Sequence, residues 1–120
     1  MENKCDQNEV KLFMFSSKTC PPCKVIRPRV EKTCEELGIP LDYIDVTENF
    51  EEYKEKVMAG EWPQVRATPT FFLYTLDTFV KLNDFTVVTS TNNLCEAIIN
   101  IRQELKFPGL SNPNTNINLN

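Results

Sequence analysis

Short apolar runs along the chain predict four β-strands. Residues 10–15 form a compact apolar run, and residues 70–74 combine aromatic with β-branched side chains, the strongest strand pattern in the sequence. Residues 41–46 predict another strand between these two. A fourth strand falls within residues 79–88, where the polar pair Asn83 and Asp84 interrupts the pattern and leaves the register open.

Between these runs, apolar residues recur every three or four positions and predict three helices. The first covers residues 23–37 and ends at Gly38, a residue type suited to cap a helix. The second, Phe50–Met58, is short and highly charged. The third begins in the polar cluster at residues 90–93, whose side chains can cap a helix, and ends before Pro108. The resulting order, β-α-β-α-β-β-α, predicts an α/β fold.

Length and composition predict one domain with two extensions. A chain of 120 residues is typical of a single domain. Residues 10–107 carry the predicted elements, residues 1–9 are a polar lead-in, and the uncharged, Asn-rich residues 108–120 are expected to form a flexible tail. No apolar stretch is long enough for a signal peptide or a membrane span. We therefore expect a cytoplasmic protein that does not bind membranes.

The charges are unevenly distributed along the chain. The formal net charge of −4 argues against a nucleic-acid-binding protein. Residues 11–30 nevertheless carry five Lys and Arg and no acid, whereas residues 31–61 carry ten acids and three Lys. We interpret the acidic segment as a solvated helix face and strand edge. The basic segment contains the more distinctive chemistry.

The cysteine and histidine content limits the kinds of reactive group that the protein can use. The chain has five cysteines and no histidine, which excludes a Ser-His or Cys-His dyad, an imidazole base and a His-containing zinc site. Five is an odd number, and a cytoplasmic protein keeps its thiols reduced, so a structural disulfide framework is not expected. The group that remains to titrate near neutral pH is a cysteine thiolate with a lowered pKa.

Two of the cysteines form a Cys-x-x-Cys motif between the first strand and the first helix. Cys20 is expected to be exposed at the helix tip, where free N–H groups and the helix dipole stabilise a thiolate. Cys23 lies one turn further along and is expected to be shielded. Lys18 and Lys24 should lower the pKa of the Cys20 thiol further.

Pro21 and Pro22 separate the two cysteines. Proline suits the start of a helix, because its ring presets φ and its missing N–H would have no partner there. The two prolines also remove N–H donors near the Cys20 sulfur, whereas the lysines act in the opposite direction. The motif predicts a reactive dithiol and leaves its reduction potential open.

The cysteines also have less reactive interpretations. A Cys-x-x-Cys is half of a zinc site, but the chain has no second such pair and no histidine. The spacing could also be a coincidence between inert thiols. Cys34 and Cys95 fall on apolar helix faces and are expected to be packing residues, whereas Cys5 lies in a polar segment and is assigned no role. Trp62 either flanks the cysteine pair or anchors its own loop.

The motif and two further features resemble the thioredoxin superfamily. They are Cys-Pro-Pro-Cys-Lys at residues 20–24, Pro28 eight positions after Cys20, and Ala-Thr-Pro-Thr-Phe at residues 67–71. The resemblance covers about residues 10–107 and implies a thioredoxin-like fold, a central mixed four-stranded sheet flanked by three helices. It also implies that Pro28 kinks the active-site helix and that Pro69 is cis and faces the cysteine pair.

The same resemblance implies a function. It indicates a thiol–disulfide oxidoreductase that reduces protein disulfides through a mixed disulfide, with Cys20 as the nucleophile and Cys23 as the resolving thiol. Thr68 and Pro69 would bind the substrate backbone. No metal and no organic cofactor are implied. The implied partners are disulfide-containing client proteins and, as electron donor, a thioredoxin reductase; the implied assembly is a monomer.

Departures from the family pattern keep two alternatives open. Thioredoxins usually carry Trp directly before the first Cys and a buried acid six positions before it, and this chain has Thr19 and Met14 there. These differences suggest a redox-inactive interaction module. Pro21 matches the glutaredoxin motif and suggests a glutathione-dependent reductase. Glutaredoxins also use a Gly-Gly turn after the last strand, and the absence of glycine from residues 79–90 disfavours a glutathione site.

Overall fold

The four predicted strands form one mixed sheet. The computed structural model describes residues 10–107, so the predicted lead-in and tail lie outside the described residues. The strands are β1 (Val10–Ser16), β2 (Leu41–Asp45), β3 (Thr70–Thr75) and β4 (Thr78–Leu82). Their order in the sheet is β2-β1-β3-β4. β1 is parallel to β2 and antiparallel to β3, and β3 is antiparallel to β4.

The predicted helices form close to their expected positions. They are α1 (Pro21–Leu37), α2 (Phe50–Met58) and α4 (Thr91–Lys106), with a shorter helix, α3 (Phe85–Val88), between β4 and α4. Gly38 ends α1 in the left-handed conformation, at φ 73°. Ser90 caps α4, because its hydroxyl accepts the N–H of Asn93 at 3.3 Å. α1 begins two residues before the predicted start, at the prolines that follow Cys20.

The strand expected within residues 79–88 is β4, and the rest of that segment forms the short helix α3, which the sequence did not predict. β4 ends at Leu82, and Asp84 then caps a helical turn by accepting the N–H of Thr86 at 3.0 Å. Aspartate competes for backbone donors in this way and therefore favours a cap over an extended strand. The structure thus has one more helix than the three expected.

Alternation along β1 divides the interior into two cores. Leu12 and Met14 face a core formed with α1, α3 and α4, and this core also contains both cysteines of the motif. Phe13 and Phe15 face the opposite side, where α2 contributes Tyr53. Both faces of β1 are therefore covered, which explains its continuous apolar sequence. The strand ends at the loop that carries the cysteine pair.

Candidate redox site

The cysteine pair lies at the start of α1 and forms a disulfide. The Cys20 and Cys23 sulfurs are bonded, with their Cα atoms 5.3 Å apart. Cys20 is the N-cap residue of α1, and its sulfur accepts the backbone N–H of Cys23 at 3.2 Å. The helix start therefore supplies a hydrogen bond to the sulfur that the sequence marks as the nucleophile.

The structure corrects the expected exposure of Cys20. The residue is only 4% exposed and Cys23 is 0% exposed, whereas Pro21 and Pro22 between them are exposed. The reason is the cap geometry, which turns the Cys20 side chain back toward the helix and bonds it to Cys23. In this oxidised form the two prolines are the part of the motif that meets solvent.

The loop before the motif is tied to the rest of the site by hydrogen bonds. The hydroxyls of Ser17 and Thr68 lie 3.1 Å apart, which joins this loop to the segment before β3. The peptide bond between Thr68 and Pro69 is cis, as the resemblance implies. The backbone N–H of Lys18 also donates to the Thr47 hydroxyl at 3.0 Å.

Comparisons with known proteins identify the family. The thioredoxin family model matches residues 2–100. This chain belongs to the thioredoxin family. A search of curated proteins found no match.

Solved thioredoxins share the fold. A mutant thioredoxin from Halobacterium salinarum is 26% identical, with 76% of this chain and 73% of that chain covered and a TM-score of 0.54. Thioredoxin 1 of Thermosipho africanus is 22% identical, with 78% and 98% covered and a TM-score of 0.56. Mitochondrial thioredoxin 3 of Saccharomyces cerevisiae is 24% identical, with 78% and 79% covered and a TM-score of 0.53.

The family and the bonded cysteine pair together support thiol–disulfide oxidoreductase chemistry in general. Cys34 is a poor site for such chemistry, because it is a buried free thiol whose pKa is raised to about 12 by burial and by the nearby Glu31. Cys95 packs partly buried against the core, as expected, but it is also disulfide-bonded, which corrects the expectation that it serves packing alone. Cys5, which was assigned no role, lies outside the described residues.

Met14 occupies the position at which thioredoxins usually carry a buried acidic residue. Met14 is fully buried in the same core as Cys23. The buried polar and charged residues within 10–107 are Ser16, Thr33, Thr75 and Arg102. None of them is a carboxylate, and the buried carboxylate oxygen that has no hydrogen-bond partner within this range is Oε1 of Glu104 on α4.

The basic side chains around the motif differ in whether a nearby carboxylate compensates their charge. Lys18 lies 3.9 Å from the Glu48 carboxylate, and Arg27 forms an ion pair with Glu31 at 2.9 Å. Lys24 is exposed and forms no ion pair with any residue in the described part of the chain. Of the two lysines expected to tune Cys20, Lys24 therefore keeps the larger uncompensated charge.

An apolar groove runs beside the motif. Its volume is about 610 Å³, and it is bounded on one side by Pro21, Pro22 and Val25 and on the other by Phe85 of α3. Val25 is 72% exposed and Phe85 is 43% exposed, so the two sides of the groove together present a contiguous apolar surface to solvent. We did not predict this groove from the sequence. The sequence feature that could have indicated it is Val25, an apolar residue on the otherwise polar side of α1.

The structure also places Pro28 and Trp62, the two remaining residues that the sequence singled out. Pro28 lies inside α1, where it cannot donate to the carbonyl of Lys24. Trp62 packs against Phe13 and Phe15 in the second core, at ring-centroid distances of 6.4 and 5.8 Å. That core is on the face of the sheet opposite the cysteines, so Trp62 anchors its loop and does not replace the tryptophan that is missing before Cys20.

The described residues contain neither a metal site nor a membrane-spanning helix. No group of three or more Cys, Asp or Glu side chains within 10–107 could hold a metal ion. No helix in that range is both long and apolar enough to cross a bilayer.

Proposed function

We propose that this thioredoxin-family protein is a protein-disulfide reductase that works through the Cys20–Cys23 dithiol. The observation that carries the proposal is the bond between these two sulfurs at the start of α1. A pair that closes without further movement is the oxidised product of such a reaction, and its reduced form supplies two electrons. The closed pair also counts against a redox-inactive interaction module.

The reaction proceeds in two exchanges. In the first, the Cys20 thiolate attacks one sulfur of a client disulfide, a Cys20–client bond forms, and the client's second sulfur leaves as a thiolate. In the second, the Cys23 thiolate attacks the Cys20 sulfur, the Cys20–client bond breaks, and the client leaves as a thiolate that takes up a proton. The client has then gained the two electrons that the dithiol has lost.

The surroundings of the pair support these roles. The N–H of Cys23 that bonds the Cys20 sulfur at 3.2 Å stabilises the thiolate of the attacking residue. Lys24 adds positive charge at the same end of the helix, and Pro21 and Pro22 present the motif to the client. Thr68 and Pro69 lie on the loop joined to the motif's own loop and would bind the client backbone.

A client segment also needs a surface on which to lie. The groove between Val25 and Phe85 begins at the two prolines of the motif, so apolar side chains next to the client disulfide would fill it. We propose that the protein acts as a monomer in the cytoplasm. A thioredoxin reductase would return electrons to the pair, because the segment after β4 lacks the glycine pair of a glutathione site.

Mixed-disulfide trapping tests the order of the two thiols. A Cys23→Ser variant should retain client proteins through Cys20 as reductant-sensitive adducts, because no second thiol is left to release them. The matched Cys20→Ser variant should retain few or none. Equal retention by the two variants, or retention by neither, would contradict these roles.

The reduction potential of the same pair tests the direction of transfer. A value near −270 mV, about that of thioredoxin, supports a reductase. A value near −120 mV, about that of a strong disulfide oxidant, would contradict it.

A further inference from the structure

A second cavity lies on the face of the sheet opposite the cysteine pair, and the proposed redox reaction does not use it. Its volume is about 420 Å³. Four aromatic residues and two carboxylates line it, namely Phe13, Trp62, Tyr74, Phe79, Glu61 and Asp77. We call it the aromatic pocket.

The aromatic rings meet at steep angles around the pocket. Phe13 is only 5% exposed and forms the floor. The ring centroid of Phe79 lies 5.0 Å from that of Phe13, and those of Tyr74 and Trp62 lie 6.1 and 6.4 Å away, with interplanar angles of 67°, 71° and 69°. Rings inclined in this way present faces and edges to one space from several directions. The faces carry negative electrostatic potential and attract cations.

Two lysines show that these rings already attract ammonium groups. The Lys11 Nζ lies 5.7 Å from the centroid of Phe13, and the Lys56 Nζ lies 5.8 Å from that of Trp62. Neither lysine lines the aromatic pocket, and no other Lys or Arg among residues 10–107 lines it. Both lysines are compensated by ion pairs, Lys11 with Asp42 at 3.3 Å and Lys56 with Glu61 at 3.0 Å, whereas the pocket itself is lined by aromatic and acidic groups.

The two carboxylates complete the chemistry of the pocket. Asp77 accepts a hydrogen bond from the Tyr74 hydroxyl at 3.3 Å and forms no ion pair within the described residues. Burial, followed by the charge of Asp77, raises the pKa of Tyr74 further above its ordinary value, and its hydroxyl is the donor in this hydrogen bond. Glu61 is bridged by Lys56 at 3.0 Å. Asp77 is therefore the carboxylate available to an incoming cation.

The approach to the pocket is open and acidic. Gly60 is exposed, and a side-chain carbon built on it would have no atom within 4 Å. The neighbouring helix α2 exposes Glu51, Glu52 and Glu55. A polypeptide with several basic residues would contact this surface as well as the pocket, whereas a single small cation would contact the pocket alone.

We propose that the aromatic pocket binds a lysine side chain of a partner protein. The ammonium group would lie against the ring faces and pair with Asp77, and its aliphatic stem would pack on Phe79 and Trp62. This contact lies on the other face of the sheet from the dithiol, so a partner held here leaves the Cys20–Cys23 pair accessible. The proposal does not depend on the redox function.

Trp62 makes the proposal directly measurable, because it is the only tryptophan in the chain. The full-length oxidised protein is titrated with acetyl-Gly-Lys-Gly-amide, and the fluorescence of Trp62 is followed at about 0.15 M salt, where long-range attraction between surface charges is screened. A matched peptide with norleucine in place of lysine keeps the stem and removes the charge. We expect a saturable change with the lysine peptide and a dissociation constant at least about threefold larger with the norleucine peptide.

Two charge-removing variants locate the binding site. Asp77→Asn keeps the shape of the side chain and should weaken binding of the lysine peptide about three- to tenfold. Glu51→Gln removes one equal charge from α2 outside the pocket and should leave the affinity within about a factor of 1.5. Both variants should fold, because both positions are exposed; thermal unfolding checks this.

Four results would overturn the proposal. Equal binding of the lysine and norleucine peptides means an apolar pocket with no preference for a cation. Equal effects of Asp77→Asn and Glu51→Gln mean a diffuse charge effect. Choline that binds more tightly than the lysine peptide means a site for a small quaternary ammonium compound. A lack of response to the lysine peptide in the wild-type protein also overturns it.

Discussion

Cys34 lies on the same helix as Cys23 and is equally buried, but its chemistry is different. Cys23 is at the helix start and bonded to Cys20, whereas Cys34 lies about three turns further along, among the apolar side chains that α1 packs against the sheet. Burial and the nearby Glu31 raise its pKa to about 12. Because thiol exchange requires a thiolate, Cys34 is unreactive in the folded protein.

The raised pKa of Cys34 predicts a loss of stability at alkaline pH. Its thiol ionises near pH 9 in the unfolded chain and near 12 in the folded one, so the folded state alone holds the proton between these values. The free energy of unfolding should therefore fall by about 1.4 kcal/mol between pH 8 and 10 from this group. Urea unfolding of the oxidised wild-type and Cys34→Ala proteins at pH 8 and at pH 10 tests this. The difference between their free energies of unfolding should be smaller at pH 10 by that amount. Parallel pH profiles would contradict the prediction.

At the scale of elements, α3 connects the fold to the candidate site. This single turn places Phe85 on the groove beside the motif and sends Val88 into the main core. Asp84 holds it by accepting the backbone N–H and the hydroxyl of Thr86, and these bonds lower the pKa of the Asp84 carboxyl. A helix this short depends on its cap, because it has few hydrogen bonds of its own.

Removal of this cap should loosen α3 alone. In Asp84→Ala we expect the amide of Thr86 to exchange with solvent severalfold faster, while amides in the middle of α4 keep their rates. Because the folded-state pKa of Asp84 is lowered, its stabilisation is present above about pH 4 and is lost as the pH falls further. The exchange difference should therefore narrow as the pH falls through the lowered pKa of Asp84. Asn83→Ala is the control, and equal effects of the two variants would contradict the role of the cap.

The sequence predicted which strands and helices form better than it predicted where they end and what they contact. The apolar face of α1 and the strand at residues 70–74 were clear, because their patterns repeat over several positions. The division of residues 79–88 between β4 and α3 depends on one Asp side chain that captures an N–H, a local competition that apolar periodicity does not register. The motif identified Cys20, but its burial results from the cap geometry. The groove required two distant segments to meet, which no local pattern encodes.

At the scale of the whole molecule, two cores share one sheet. The larger core contains the cysteine pair, and the smaller one is an aromatic cluster in which the fully buried Phe15 contacts Tyr53, Trp62 and Phe72 at centroid distances of 5.8 to 6.2 Å. The redox site and the aromatic pocket are thus built on opposite faces of the same strands. A change in one core reaches the other through β1 and β3.

The aromatic core should therefore contribute strongly to global stability. Phe15→Ala leaves a cavity in the aromatic core on the α2 side of β1. We expect it to lower the free energy of unfolding by about 3–5 kcal/mol. Urea unfolding followed by circular dichroism measures this loss. Val25→Ala is a suitable control, because Val25 is exposed and should change stability by less than about 0.5 kcal/mol. A loss below about 1 kcal/mol in Phe15→Ala would show that the second core is not required for folding.

The strand order also has a consequence for self-association. β2 and β4 are the outer strands of the described sheet, and each is five residues long. Asp42 on β2, which is paired with Lys11 of β1 at 3.3 Å, and Lys81 on β4 are charged side chains of the two outer strands. Short edges that carry charge are poor templates for the addition of another chain's strand. The placement of these two side chains therefore protects a small open sheet from edge-to-edge aggregation.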